Sequence, residues 1–227
     1  MATVTLLQLR TDAYRAADQE DQTLCPPAEV TRYANEAIKE LRRKLVAFGG
    51  ANRFATSGTI AVTAAGGASY SLTALSPEPA QILNVYWDGG VGRLLRMEEC
   101  PPNEDEYVIP QSGWNYNYQV RYELVGSTIK FIPAPAGSYT VTVKYVPVFT
   151  DLSMDADTVD LWDGQEIWVS RNMAAKMASK EADYETAQRC DQVCNNVWLD
   201  IIASATRNRA EPKRVQDVYK PVGRWYY

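Results

Sequence analysis

The sequence of 227 residues contains no histidine, and this absence excludes several kinds of catalytic site. A Ser-His-Asp triad, a Cys-His pair, an H-E-x-x-H zinc helix and an imidazole general base all require that residue. Cysteine is scarce too, since Cys25, Cys100, Cys190 and Cys194 are too few for a disulfide scaffold in a chain of this length. We therefore expect a protein that folds in a reducing cytoplasm.

Long apolar runs are missing as well. No stretch approaches the ~18 uncharged apolar residues of a membrane-spanning helix. Arg10 and Asp12 interrupt the first segment, which therefore lacks the apolar core of a signal peptide. The apolar share of 46% and the charged share of 22% are those of a globular chain and not of a disordered one. The sequence thus predicts a folded protein without a membrane span.

The net charge of −5 is unevenly distributed along the chain. Residues 207–227 carry six Lys/Arg and two Asp/Glu, which gives +4, whereas the other 206 residues carry 17 basic and 26 acidic side chains, which gives −9. Such a division predicts an acidic body with a basic, aromatic C-terminal arm.

The patterns that are present begin with two helices in residues 1–50. Thr5 and Gln8 have the spacing of a capping box at the start of the first helix. The prolines at 26–27 suit the first turn of a second helix, and the glycines at 49–50 are typical of its end. The predicted apolar stripe of the second helix is Val30, Ala34, Ala37, Ile38, Leu41, Leu45 and Phe48.

Residues 51–150 change to the period of two that is typical of strands. The clearest hairpin has strands through Tyr122 and Phe131 joined by Gly126 and Ser127, a pair that suits a type II′ turn. Another strand alternates from Tyr139 onward. We predict an antiparallel sheet or small sandwich of about five to seven strands with one solvent-exposed face.

Helical spacing returns in residues 151–206. Asp163 and Glu166 have capping-box spacing, and two helices with apolar stripes follow before the periodicity ends past Arg207. The predicted inward positions are Ile167, Met173, Ala174, Met177 and Ala178, then Tyr184, Ala187, Cys190, Cys194, Val197, Trp198 and Ile201. We predict an α+β fold: residues 1–50 and 151–206 form a helical bundle, 51–150 an inserted antiparallel β domain and 207–227 an extended arm.

One acidic stretch has the composition of a calcium-binding loop. The EF-hand spacing requires an acid or Asn followed by Gly where this chain has Val159 and Asp160. A solvated turn whose carboxylates cap helices is therefore favoured. Its aspartates are Asp151, Asp155, Asp157, Asp160 and Asp163.

Other candidates for chemistry fail on spacing. Cys190 and Cys194 lie one helical turn apart, but two ligands cannot close a zinc site, so buried thiols are favoured. The Gly-rich segment 89–92 lacks the spacing of a phosphate loop and favours a turn. Carboxylate pairs at 98–99 and 104–106 would need to face each other across a cleft to act as acid and base. We predict no catalytic, cofactor-binding or metal-binding residues, and hence a protein that is not an enzyme.

The arm is the remaining candidate site. Its cations and aromatic rings suit docking on a protein, where Trp, Tyr and Arg are common anchors. A disordered terminus and nucleic-acid binding through phosphates and stacked bases are the alternatives. The predicted docking residues are Arg207, Arg209, Lys213, Arg214, Tyr219, Lys220, Arg224, Trp225, Tyr226 and Tyr227.

The order of these segments resembles that of the head-to-tail adaptor (connector or gatekeeper) proteins of tailed bacteriophages, particularly short-tailed ones. The likeness covers most of residues 5–205 and rests on the order and spacing of weak motifs. Where the family usually has a proline before the penultimate helix, this chain has Trp162, Asp163 and Gly164. The matching segments are EVTRYANEAIKEL (29–41), YSLTALSPEPAQILNVYWDG (70–89), LLRMEE (94–99), STIKFIPAPAGSYTVTVKYVPVFTDLS (127–153) and DADTVDLWDGQEIWVSRNMAAKMASKEADYETAQRC (155–190).

The resemblance implies a structural virion protein made in the host cytoplasm and placed in the neck of the particle. It implies a homo-oligomeric ring, commonly of twelve subunits, below the portal protein. Double-stranded DNA would pass through the central channel without sequence-specific binding, and the lower rim would attach the tail nozzle or tube. The arm would dock on the portal or on a neighbouring adaptor.

Three other functions remain open from the sequence. A different phage neck or tail ring protein, such as a tail terminator or head-completion protein, would share the composition. A carboxylate-based enzyme would need no histidine. A nucleic-acid-binding module would use the arm and would show steep salt dependence.

Overall fold

The polypeptide forms two structural units. One is built from two separate segments of the chain, and the other is built from a single continuous segment. The computed structural model describes residues 2–19, 24–88, 94–100, 114, 120–161 and 164–207. The helical unit comprises the described residues up to Ala37 and from Ser153 onward, and the β unit comprises those of Ile38–Leu152. The fold is mixed α/β.

The described residues contain four α-helices: α1 (Leu6–Ala16), α2 (Pro27–Leu45), α3 (Gln165–Lys180) and α4 (Tyr184–Arg207). The predicted capping box of α1 is confirmed, because the Gln8 amide donates to Thr5 Oγ1 at 3.2 Å and the Thr5 amide donates to Gln8 Oε1 at 2.9 Å. The predicted proline start of α2 is confirmed as well.

The observed start of α3 differs from the start that the sequence predicts. The helix has Gly164 at its N-cap with φ 85°, and no side chain caps it there. The predicted capping box on Asp163 and Glu166 is therefore wrong in its N-cap residue, and Asp163 itself lies outside the described residues. Glu166 instead accepts a bond of 3.2 Å from the Gly164 amide.

Helix α3 lies at the centre of the helical unit. It packs against α1 and α4, and it is buried on most sides, with Met173, Ala174 and Met177 fully enclosed. A helix with apolar residues around most of its surface is one that other elements surround. Small residues such as Ala174 and Ala178 let the neighbouring helices approach closely.

Three predicted core positions are exposed. Phe48 is 58% exposed, Ile167 45% and Tyr184 72%. Phe48 lies just past the end of α2, and Ile167 and Tyr184 lie in the first turns of α3 and α4. At the start of α3 the buried positions are Gln165, Trp168 and Val169 instead.

Among its described residues, the β unit contains seven strands joined in one sheet. They are β2 (Thr56–Val62), β3 (Ser69–Ser71), β4 (Pro79–Asp88), β5 (Leu94–Glu99), β6 (Arg121–Val125), β7 (Thr128–Ile132) and β8 (Tyr139–Pro147), in the spatial order β2-β8-β4-β5-β6-β7-β3. The predicted hairpin is β6–β7, in which Val125 pairs with Thr128 and Gly126 has φ 59°. A positive φ at the first loop residue alone is the requirement of a type II′ turn.

One pair of strands departs from the predicted antiparallel sheet. Strands β5 and β6 run parallel, with Glu98 opposite Arg121. Residues 100–120 lie between them, a connection long enough for the crossover that a parallel pair requires. The sheet is thus mostly antiparallel.

The sheet is nearly closed, because its two edge strands are tied together. The Tyr70 hydroxyl of β3 donates to the Thr63 carbonyl at 2.6 Å and accepts from the Thr63 amide at 2.8 Å, immediately after β2. Inside lies an aromatic core in which Trp114 contacts Trp87, Phe131 and Tyr139, with ring centroids 4.8–5.2 Å from it.

The acidic stretch before α3 contains a strand that the sequence did not suggest. Strand β9 (Thr158–Leu161) pairs antiparallel with β1 (Ala2–Thr5) in the helical unit. Asp160 accepts a bond of 2.9 Å from the Thr3 hydroxyl across this pair. The prediction of a solvated turn throughout 151–163 is therefore wrong for residues 158–161.

Candidate assembly surfaces

The arm predicted to dock on partners lies almost entirely beyond the described residues. Arg207 is the last residue of α4. Arg209, Lys213, Arg214, Tyr219, Lys220, Arg224, Trp225, Tyr226 and Tyr227 lie outside the described residues. Docking by the arm stays a prediction, and the surfaces described next belong to the two units.

The charge of the chain divides between those units. In the segments of the helical unit, 1–37 and 153–206, there are 7 basic and 16 acidic side chains, which gives −9. The β unit, 38–152, has 10 of each and no net charge. All of the excess acid of the body therefore belongs to the helical unit.

Two ion pairs join α2 to α3 across the helical unit. Lys180 Nζ lies 2.5 Å from Glu29 Oε2, and Lys176 Nζ lies 3.0 Å from Glu36 Oε2. The Tyr33 hydroxyl also donates to Glu29 at 2.8 Å. The bond from Lys180, followed by that from Tyr33, lowers the pKa of the Glu29 carboxyl, and the same contact raises the pKa of Lys180.

The aspartates that precede β9 form contacts within their own turn and with α1. Asp157 accepts backbone bonds from Met154 at 2.8 Å and Ser153 at 2.7 Å, and these bonds lower the pKa of its carboxyl. Asp155 forms an ion pair of 2.7 Å with Arg10 of α1. Across the described residues, no three His, Cys, Asp or Glu side chains come together as a metal site.

The first turn of α1 is capped by this same segment. The amides of Leu6 and Leu7 donate to the carbonyls of Asp157 and Asp155 at 2.9 and 3.2 Å. The prediction that carboxylates of the stretch cap a helix is corrected here, because backbone carbonyls of those residues receive the amides. The amides at the start of a helix lack partners within it, so these bonds attach the beginning of the chain to residues 155–157.

Cys190 and Cys194 are free thiols in the core, as predicted. Cys190 Sγ lies 3.8 Å from the Ala16 carbonyl of α1, and Cys194 Sγ lies 3.6 Å from the Trp168 carbonyl of α3. The two cysteines therefore mark the contacts of α4 with both neighbouring helices.

The other candidates for chemistry do not form a site among the described residues. Glu98 and Glu99 are exposed on β5. The glycine-rich segment 89–92 and the carboxylates of 104–106 lie outside the described residues. None of the described helices is long and apolar enough to cross a membrane.

A comparison with protein families matches nearly the whole chain. The family described as SU10 adaptor protein matches residues 4–213. A search of curated proteins found no match. The family match includes both units, and it confirms the resemblance to phage head-to-tail adaptor proteins, whereas the short-tailed type stays a prediction.

Proposed function

This chain belongs to the SU10 adaptor protein family of bacteriophage structural proteins, and we propose that it forms a ring below the portal of a short-tailed phage. The ring, of twelve copies, continues the DNA channel and provides the attachment site for the tail nozzle. The observation that carries this proposal is the family match over residues 4–213. In this proposal the four helices are the bundle of the adaptor, and the protein resides in the neck of the virion.

The charge distribution supports passage of DNA without binding. The helical unit carries −9, and an excess of negative charge suppresses contacts with phosphates. A channel wall with this property lets double-stranded DNA slide, whereas a basic wall would retain it.

Electron microscopy of the purified full-length protein, alone and with purified portal protein, tests the proposal. We expect rings that stack on the portal in the mixture. Rings that bind a tail-tube protein and ignore the portal would assign the chain to a tail terminator instead. A protein that remains monomeric under both conditions would overturn the proposal.

The arm is the proposed clamp between this ring and the portal or a neighbouring adaptor. Deleting residues 207–227 removes +4 of charge and the Trp225-Tyr226-Tyr227 end. We expect the shortened protein to retain its circular dichroism spectrum and to fail to assemble on portals. A shortened protein that still completes heads and attaches tails would exclude this role.

A further inference from the structure

Strand β2 lies at one end of the seven-stranded sheet and presents an open edge. It pairs along its whole length with β8 on one side. Directly after it, the amide and the carbonyl of Thr63 both bond to the Tyr70 hydroxyl of β3, the strand at the opposite end of the sheet. In an antiparallel strand, the amide and carbonyl of one residue point to the same side, and every second residue points to that side. The residues that share this orientation with Thr63 are Ser57, Thr59 and Ala61.

The hydrogen bonds of β8 indicate the same orientation. The Val148 amide, directly after β8, donates to the Glu78 carbonyl beside β4 at 2.8 Å. Even-numbered residues of β8 therefore face β4, and odd-numbered residues such as Val143 face β2. Val143 lies opposite Gly58. The even-numbered residues of β2 thus bond to β8, and residues 57, 59 and 61 present their amides and carbonyls to the open edge.

Within the described part of the chain, no hydrogen bond is made to these outward amides and carbonyls. Strand β3 ends at Ser71, and the Leu72 amide that follows donates to the Ser127 carbonyl of the β6–β7 turn at 2.9 Å. The chain after β3 therefore turns away and does not pair with β2. All three outward residues of β2 are exposed.

The sequence of β2, TSGTIAV, contains neither a charged residue nor proline. Its register with β8 is continuous, without a bulge. Folded proteins usually protect an exposed edge with charge, proline, a bulge or a very short strand. The other end strand, β3, is only three residues long and is closed by the Tyr70 hydroxyl. An unprotected edge of seven residues is a site where another strand can add to the sheet.

The strand that adds to this edge in a ring has to differ from β2 itself. Each copy has one β2 edge, so the pairing of two such edges uses both of them and closes a dimer. A ring of identical copies needs two different surfaces on each chain, one that donates and one that accepts. The donor is therefore another segment of the chain.

The arm contains a segment of suitable length and composition. Residues 213–220, KRVQDVYK, lie between Pro212 and Pro221, and proline is tolerated at the ends of a strand. The eight residues between the prolines match the seven of β2. Residues 208–212, when extended, span about 17 Å, which exceeds the diameter of an α-helix and lets the segment reach past α4 to an adjacent copy. Its strand-favouring residues are Val215, Val218 and Tyr219.

We infer that residues 213–220 of one copy add as a strand to the β2 edge of the next copy. This inference rests on the proposed ring and gives its arm a docking site. Each copy donates one strand and accepts one, so the same contact repeats around the ring. Backbone hydrogen bonds supply the affinity in strand addition, and β2 needs no charged side chain for them.

Proline substitution on each partner tests the inference, because proline lacks the amide that strand pairing uses. Thr59→Pro, the edge variant, removes an outward amide that β8 does not use. Val215→Pro with Gln216→Pro, the arm variant, removes two consecutive amides, one of which must face β2 whichever way the segment docks. We expect each variant to associate at least about ten-fold more weakly than the unmodified chain. Light scattering should show monomers at the lowest concentration at which the unmodified chain forms rings.

Each variant has a matched control that should form rings like the unmodified chain. Thr59→Val keeps the amide and favours a strand. Val222→Pro with Gly223→Pro places two prolines in the arm outside 213–220. Circular dichroism checks the fold of every variant, and Ser57→Pro, at the next outward position, replaces Thr59→Pro if the spectrum of the latter changes.

Mixing the edge variant with the arm variant distinguishes docking between copies from docking within one chain. The edge variant keeps its arm and the arm variant keeps its β2 edge, so one unmodified contact can form between them. The mixture should contain dimers and no rings, whereas each variant alone stays monomeric. A mixture that contains only monomers would overturn docking between copies.

The other outcomes separate this inference from the function on which it rests. Rings that persist in the edge variant or in the arm variant would overturn the docking mode and leave the adaptor function intact. An arm variant that forms rings but no longer binds portal would assign the segment to the portal instead. Loss of rings in either control would show that the edge amide or residues 213–220 are not the determinants. Absence of rings in the unmodified chain, with and without portal, would overturn both proposals.

Discussion

The helical unit and the β unit are stabilised in different ways. The helical unit brings together residues near the start of the chain and residues more than 150 positions later, through β1–β9 and through ion pairs such as Glu29–Lys180. The β unit is one continuous segment around an aromatic core. The core of the β unit is rich in large aromatic rings, whereas the core of the helical unit combines small residues such as Ala174 with Trp168 and Met173 and is joined at its surface by a helix cap and ion pairs.

The largest expected effect tests the aromatic core of the β unit. Trp114 is 7% exposed, and its indole nitrogen donates to the Pro133 carbonyl at 2.8 Å. Trp114→Ala should lower the free energy of unfolding by about 3–5 kcal/mol, measured by near-ultraviolet circular dichroism in urea. The helical signal in the far ultraviolet should persist at urea concentrations that unfold the β unit. Tyr139→Phe, which keeps the ring stacked on Trp114, is the control, and coincident loss of both signals would refute separate units.

The next effect concerns the close approach of helices. Ala174 of α3 is fully buried, so Ala174→Leu adds volume where there is no space. We expect a loss of about 1–3 kcal/mol, seen in the far-ultraviolet transition. Ala28→Leu makes the same change at an exposed position of α2 and should be nearly neutral. Equal effects of the two substitutions on the free energy of unfolding would contradict the interpretation that α3 needs small residues.

A smaller effect is expected when the N-cap side chain of α1 is removed. Thr5→Ala removes the oxygen that accepts the Gln8 amide, and loss of an N-cap side chain costs about 1 kcal/mol. Thr3→Ala removes only the exposed bond to Asp160 and should cost less. Thermal unfolding of both variants measures the difference, and a larger cost for Thr3→Ala would show that the β1–β9 pair matters more than the cap.

The smallest effect is a pH dependence confined to the helical unit. The folded pKa of Glu29 lies below its ordinary value of 4.5, so the carboxylate contributes stability above that value and loses it as pH falls through the lowered pKa. Glu29→Gln should therefore make the melting temperature less dependent on pH below about 4.5. Glu185→Gln, at an exposed position of α4, is the control. An unchanged acid dependence in Glu29→Gln would mean that the ion pair with Lys180 contributes nothing to stability.

Local patterns in the sequence predicted the elements that depend on nearby residues. The span of α2 follows from its prolines, its apolar stripe and its glycines, and the hairpin β6–β7 follows from alternation around Gly126. The buried thiols at Cys190 and Cys194 were predicted from helical spacing. In each case the determining residues lie within one element or one turn.

Features that depend on distant pairing were not predictable in the same way. The β1–β9 pair joins Ala2 to Leu161, and no spacing in either segment signals the other. The parallel pairing of β5 with β6 could not be predicted for the same reason, because a long connection separates the two strands. The glycines that directly follow Phe48 indicated that the helix ends there. The apolar stripe was nevertheless extended to Phe48, and this predicted burial of a residue that is exposed.

The pairing of β1 with β9 also sets an order of events during synthesis. A ribosome releases residues 38–152 before it has made β9, α3 or α4, and domains generally fold as they emerge. The β unit therefore has every residue it needs early, whereas β1 and α1 wait for partners that are translated after residue 152. A nascent chain in which β9 has not yet been made leaves β1 without its partner strand. The helical unit is therefore completed only after the β unit has been synthesised.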